Sequence, residues 1–212
     1  TETLYDGDID DIRPEEEEID WLLAEAKNLL PGAPFSRANM LFAWAGVRPL
    51  TYDPAQPKGA RSRELHDLSG DGLDNMFALT AGPIMTHRSA GKLLTANVAN
   101  RVRPSGTPGV LSHAAGKFPE NTNSPVIDDA WPEATFADLR HAAEHEMPAN
   151  LIDLLFRRSG NGWTASMAAP MAERAAREVA QVMGWDEARI QAETTAYRAH
   201  VARQHLWHGK DD

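Results

Sequence analysis

The chain has 212 residues, 42% of them hydrophobic and 25% charged, with a formal net charge of −10 and no cysteine. This suits a soluble globular protein with a real core, one large or two small domains, and excludes a disulfide framework, a thiolate nucleophile and a cysteine-ligated zinc. No apolar run reaches the roughly 18 residues a spanning helix needs, and a cytoplasmic protein is expected.

The charge is uneven. Ten acids stand against one base, Arg13, in the first twenty residues, which argues against a nucleic-acid face there. Elsewhere the signs nearly balance and no broad basic patch forms. The first residue is Thr, and the chain is expected to be processed or cut from something longer.

In chain order, "RPEEEEIDWLLAEAKNLLPG" predicts a helix. Pro14 suits its first turn, four glutamates face the positive end of the macrodipole, and Pro31-Gly32 stops it. Ile19, Leu22, Leu23, Ala26, Leu29 and Leu30 form an apolar stripe. "FSRANMLFAWAGVRPL" predicts a second helix, capped by Ser36 and ending near Gly46. "RSRELHDLS" and "MFALT" predict short strands about the turn formers "SGDG". "AGPIMTHRSAGKLLTANVANRV" predicts a small-residue turn running into a helix. Residues 104–132, rich in Pro, Gly, Ser and Asn, predict a linker or long irregular crossing. Helices are expected over 133–157, 167–183 and 186–207, with Gly184 ending one and Asp186 capping the next.

Several motifs imitate known chemistry. Asp6, Asp8, Asp10 and Glu17 fall at calcium-loop positions, but Asp11 replaces the turn glycine, Pro14 intrudes and too few residues precede the loop for an entering helix. "HAAEH" sets His141 and His145 four apart on one helix face, a zinc-ligand spacing that still needs a third ligand such as Glu173, Glu178 or Glu193. A zinc hydrolase is therefore one alternative, and two exposed histidines the bland one; no metal is assigned. "SAGKLL" and "HAAGKF" lack the earlier Gly and the Ser/Thr of a phosphate loop, and no dinucleotide fingerprint occurs. Arg157 and Arg158 suit a helix C-terminus. His113 and His205 belong to no pattern.

Arg48, Arg63 and the "TAGPIMTHR" turn remain. Arg48 follows an apolar stretch, where a planar fork suits a phosphate or carboxylate; an internal ion pair satisfies the same chemistry. The turn at 81–88 opens a helix and offers N–H groups to an anion or a polar ring edge.

The order of "YDGD", "RPEEEEIDWLL", "WAGVRPL", "SREL", "ALTAGPIMTHRSAGKLL", "NLIDLLFRRSGNGW" and "MGWDEARIQAETTAYR" resembles the C-terminal half of FAD-dependent glycerol-3-phosphate dehydrogenases. The resemblance implies oxidation of glycerol 3-phosphate to dihydroxyacetone phosphate, with flavin passing electrons to quinone, and association with a membrane surface. It assigns Arg48 to the flavin and substrate as the catalytic cation, Arg63 to the substrate, and Gly82 and Thr86, with Arg88 also agreeing, to the turn that contacts both. The FAD fingerprint and the general base are expected upstream of this chain.

Departures from the family turn are Ala81 for Gly, Pro83 for the substrate-binding Lys, Met85 for Thr and His87 for Tyr. Pro83 removes both a cation and a backbone donor. The expected architecture is α+β: residues 1–103 complete a partial mixed sheet of the flavin/substrate domain, 104–132 link, and 133–212 form a helical cap. An exposed sheet edge would invite a second copy. The alternative is a non-catalytic helical binding module descended from such an enzyme, which Pro83 favours.

Overall fold

Pro14 and the glutamates behind it start α1 (Glu16–Leu29), with three acids in its first turn and Lys27 in its last, as the macrodipole favours. The computed structural model describes residues 3–48, 50, 54–55, 62–80, 82–107, 109 and 123–206. Pro49, Ala81, His113 and the Gly116-Lys117 pair lie outside the described residues. The chain divides into two compact units, one made of residues 1–3, 7–46 and 115–212, the other of 4–6 and 47–114.

In the first unit, only Ile19 of the α1 apolar stripe is buried, while Leu22, Leu29 and Leu30 are exposed. Arg37 fastens the helix. Its guanidinium pairs with the Glu16 side chain, reaches the Glu16 carbonyl at 2.8 Å and meets Asp20 at 2.7 Å.

The second helix expected over 36–46 does not form. One 3₁₀ turn (Arg37–Asn39) is followed by extended chain from Met40. The reason is a choice between periods. Phe42 and Trp44, two apart, both meet the Trp163 ring. Residues two apart share a side only in extended chain; a helix would splay them.

The core of this unit lies in its C-terminal part. β3 (Val126–Asp128) and β4 (Trp131–Thr135) form an antiparallel hairpin that buries Ile127 and Ala134. This hairpin falls partly in the stretch 104–132 that was expected to be irregular. Thr135 then caps α3 (Phe136–His145) through a reciprocal box: its hydroxyl accepts the Asp138 N–H at 3.3 Å, and Asp138 accepts the Thr135 N–H at 2.9 Å.

The single helix expected over 133–157 is broken. Met147 takes a φ of 49° and Pro148, which has no N–H to donate, follows it. The chain re-enters helix at Leu151 and widens into a π-helix (Asp153–Arg158). Leu151, Leu154, Leu155 and Phe156 are all buried. The wider turn brings residues five apart, Leu151 and Phe156, toward one side, which an α-helix does less well.

The helix expected from residue 167 starts later. Met167 and Ala168 both sit at φ 49°, a 3₁₀ turn (Ala169–Met171) carries Pro170, and α4 (Ala172–Met183) follows. Tyr197, fully buried, donates its hydroxyl to the Met167 carbonyl at 2.6 Å and so ties down this bend. Gly184 ends α4 at φ 67° and Asp186 caps α5 (Glu187–Gln204) by accepting the Arg189 N–H at 2.8 Å, both as expected. α3, the π-helix, α4 and α5 enclose one apolar core with Phe136, Leu139, Val179 and Val201 at its centre.

In the second unit, β1 (Glu64–Asp67) pairs antiparallel with β2 (Phe77–Thr80) in the register Leu65 to Leu79. Gly72, at φ 82°, closes the 3₁₀ turn between them. α2 (His87–Val102) begins where the small-residue turn ends. Its Arg101 lies 4.6 Å over the Phe77 ring and pairs with Asp67, which locks the helix to the hairpin. The α+β class is as expected, but among the described residues the mixed sheet is replaced by two separate antiparallel hairpins. No helix among the described residues is long and apolar enough to cross a membrane.

Candidate functional site

Three of the four sequence-predicted site residues meet in the second unit. Arg63 immediately precedes β1, and Gly82 follows β2, so pairing of the strands brings them opposite each other. Gly82 has a φ of 90°, and a Cβ built on it would stand 3.0 Å from the Arg63 Cβ. Both conformation and space therefore require glycine there. The turn then passes through Pro83 into a 3₁₀ turn (Ile84–Thr86) and α2. The Thr86 hydroxyl donates to the Pro83 carbonyl at 2.8 Å.

Arg63 crosses this turn. Its Nη1 donates to the Thr86 carbonyl at 3.2 Å and to Ser89 Oγ at 2.7 Å. Among the described residues these bonds use one corner of the guanidinium. The Nε and Nη2 edge keeps the planar fork that matches a phosphate or carboxylate. Ser89 is the partner that sequence reasoning missed. Its signal was its place three residues after Thr86, where one helical turn aligns them. Arg48 is exposed, and Arg88 is likewise exposed on α2. On the hairpin itself His66 Nε2 lies 2.7 Å from Thr80 Oγ1, across the two strands.

The residues fit an anion more fully than a flavin. A half-buried arginine with an open edge and a glycine bend are in place. Pro83, however, brings no N–H and the Thr86 hydroxyl proton is given to its own turn. Donors for a flavin must come largely from elsewhere.

The first unit holds an aromatic cluster that sequence motifs did not reveal. Phe156 stacks on His205 with centroids 4.8 Å apart and planes 14° apart, and meets Trp163 edge-on at 5.0 Å. His200 stands 5.5 Å from the same ring. The Trp163 indole N–H donates to the Phe156 carbonyl at 3.2 Å. Burial, together with the nearby His200, pushes the His205 imidazole down to about 4, and burial with Arg157 nearby lowers His200 as well. On β3, burial resists ionisation of Asp128, but hydrogen bonds from Ser166, the Ala130 N–H and Thr164 outweigh it and hold the carboxyl below its ordinary value.

The sign for His205 follows from linkage. Between pH 6.5 and about 4 the unfolded chain binds a proton there that the folded chain does not, so stability falls on acidification across that window. After allowing for water near the ring, the loss is on the order of 1–2 kcal/mol. His205→Phe keeps the stack and removes the titration. Urea melts should show its stability gaining on the unmodified chain as pH drops from 6.5 to 4; a constant gap would show that His205 titrates normally.

The zinc reading finds no third ligand among the described residues. His141 and His145 lie 4.5 Å apart by ring centroids. Glu178 pairs with Arg140, Glu173 with Arg177 at 2.9 Å, and Glu193 with Arg189 at 2.7 Å. No group of three metal-ligating side chains forms among the described residues, the acidic "DGDID" stretch included.

Residues 112–190 match the C-terminal domain of alpha-glycerophosphate oxidase. Over that segment the chain is similar to the C-terminal domain of the glycerol-3-phosphate oxidase/dehydrogenase family. It is similar to a glycerol-3-phosphate dehydrogenase of Synechocystis sp., 34% identical over 110 residues that cover 51% of this chain and 20% of that protein. It is also similar to a subunit of the anaerobic glycerol-3-phosphate dehydrogenase of Escherichia coli, 31% identical over 142 residues, or 64% of this chain and 26% of that protein. A mitochondrial glycerol-3-phosphate dehydrogenase of Bos taurus is 35% identical over 79 residues, 36% of this chain and 10% of that protein. The chain thus spans about a tenth to a quarter of the length of these curated relatives. No solved structure matches it.

Proposed function

We propose that this chain is part of an FAD-dependent dehydrogenase that oxidises glycerol 3-phosphate to dihydroxyacetone phosphate, with quinone as the electron acceptor at a membrane surface. The observation that carries this is the Arg63 fork laid across the Gly82–Thr86 turn, with one edge open to an anion. Proteins similar to part of this chain bear the name glycerol-3-phosphate dehydrogenase, which supports the reading.

In this reading the Arg63 edge holds the substrate phosphate, and Gly82 lets the backbone approach the bound molecules closely. Arg48 stands by the carbinol oxygen, where a fixed guanidinium favours negative charge developing as the hydroxyl proton leaves. Flavin, when bound, supplies the two-electron chemistry. Pro83 leaves the phosphate with one cation fewer than the family turn provides, so binding leans more heavily on Arg63.

The test uses the protein in its full reading frame. Flavin absorbance and turnover of glycerol 3-phosphate with a quinone acceptor are expected. Arg63→Ala should raise KM by about 10- to 100-fold, as expected for losing a charge-assisted fork, with a smaller change in kcat. A protein without flavin and without turnover would instead be the non-catalytic binding module. Flavin binding with an unchanged KM for Arg63→Ala would remove the role given to Arg63.

A further inference from the structure

Arg63 is held at both ends. Its stem rests against the glycine bend: a Cβ built on Gly82 would stand 3.0 Å from the Arg63 Cβ and 3.6 Å from its Cγ. Its tip is caught where α2 begins. Nη1 donates to Ser89 Oγ at 2.7 Å and to the Thr86 carbonyl at 3.2 Å. The Ser89 hydroxyl donates to that same carbonyl at 2.9 Å. Three bonds therefore close a ring on Arg63, Thr86 and Ser89, and all three residues, with Gly82, belong to one compact unit.

Each bond in the ring settles a direction. Because the Ser89 proton is committed to Thr86, the hydroxyl turns a lone pair toward Arg63. Nη1 carries two N–H groups, and both lie in the guanidinium plane. Two acceptors on one nitrogen fix the orientation of that plane, and with it the direction of the Nε–Nη2 edge. The carbonyl alone would leave the plane free to swing about a single bond.

A consequence for anion binding follows. An arginine gives up much rotamer freedom when it settles on a ligand. Where stem and tip are already fixed, less is left to lose. The two remaining in-plane donors then meet two oxygens of one phosphate or carboxylate together. Ser89 makes no such contact through its proton, which stays within the turn.

We propose that Ser89 is a positioning residue for Arg63: it sets the guanidinium so that an anion meets the Nε–Nη2 edge side-on. Its bearing on turnover rests on the phosphate role given to Arg63 above.

The protein in its full reading frame tests this with Ser89→Ala, Ser89→Thr, Arg63→Ala and the Ser89→Ala/Arg63→Ala double variant. Ser89 is exposed and alanine is the better helix former, so α2 should persist, as circular dichroism would verify. Inorganic phosphate is the binding probe, titrated by calorimetry without turnover. Ser89→Ala should weaken it by about 5- to 10-fold, the loss of one hydrogen bond to a charged group. Ser89→Thr keeps a hydroxyl and should stay within about 2-fold of the unmodified protein. KM for glycerol 3-phosphate should follow the same pattern, with a smaller change in kcat. In the Arg63→Ala background, Ser89→Ala should change neither quantity further, because the serine acts through the arginine.

Equal losses in both backgrounds, or threonine as harmful as alanine, overturn the positioning role. Ser89→Ala without effect, while Arg63→Ala weakens phosphate, overturns it too and leaves the reading of Arg63 standing. If Arg63→Ala itself leaves phosphate binding and KM unchanged, the phosphate role of Arg63 fails, and the role of Ser89 fails with it.

Discussion

Gly162→Ala is expected to cost about 3 kcal/mol of folding stability, near the top of the range for overpacking a filled site. An alanine Cβ at this position would lie 2.7 Å from Cγ and Cδ1 of the Phe156 ring and 2.8 Å from Cδ2. The ring has no easy escape, because His205 stacks on it, Trp163 abuts its edge and Tyr197 stands 5.8 Å away. Gly160, two residues earlier, provides the contrast. It adopts a φ of 78°, but its Cβ would find only ordinary contact with Trp131 at 3.7 Å. Gly160→Ala should therefore cost about 1 kcal/mol, a backbone term alone. Urea denaturation of both variants decides the matter. Equal losses would mean that the Phe156 ring yields and that the glycine is not a packing requirement.

Glu193→Ala is the second large effect. The carboxylate reaches from α5 to accept the Leu151 N–H at 2.8 Å, at the start of the helix that becomes π, and its other oxygen meets Arg189 at 2.7 Å. Glu193 is only 7% exposed. Truncation would leave a buried N–H without an acceptor and an arginine without its partner, a loss of about 2–3 kcal/mol. Glu193→Gln retains an acceptor for the Leu151 N–H and should recover roughly half. If alanine and glutamine are equally harmful, charge pairing and not the helix start is what Glu193 provides. In sequence this glutamate is a candidate zinc ligand; in the fold it is an N-terminal partner for another helix.

That reversal shows where sequence reading stops. Helix ends were legible because their chemistry is local. The acids after Pro14, Gly184 and Asp186 each act on groups within a few residues, and the structure places them as expected, whereas Pro14 stands just before the Glu15 N-cap and not in the first turn. The β1–β2 hairpin was legible for the same reason, two short β-prone runs about a Gly-Asp-Gly turn. The meeting of Arg63 with Gly82 and Thr86 was suggested by resemblance and then follows from that hairpin, since strand pairing sets the two sides of the turn together.

The misses were nonlocal. Composition gives no hint that Phe42 and Trp44 seek a tryptophan some 120 positions later, and a partner that distant overrides a local helical period. The π-helix has the same origin: four large residues must reach one core, and only a widened turn lets them.

By itself, then, the sequence determined the acidic start of α1, the Gly184 stop, the Asp186 cap and the hairpin with its glycine bend. The tertiary structure alone decided the path of residues 40–46, the wrapping of Phe156, and the partners of Glu193. Backbone capping is settled over one turn of chain, whereas ring packing is settled only when segments far apart are brought together, and at those places the packing term exceeds the local preference.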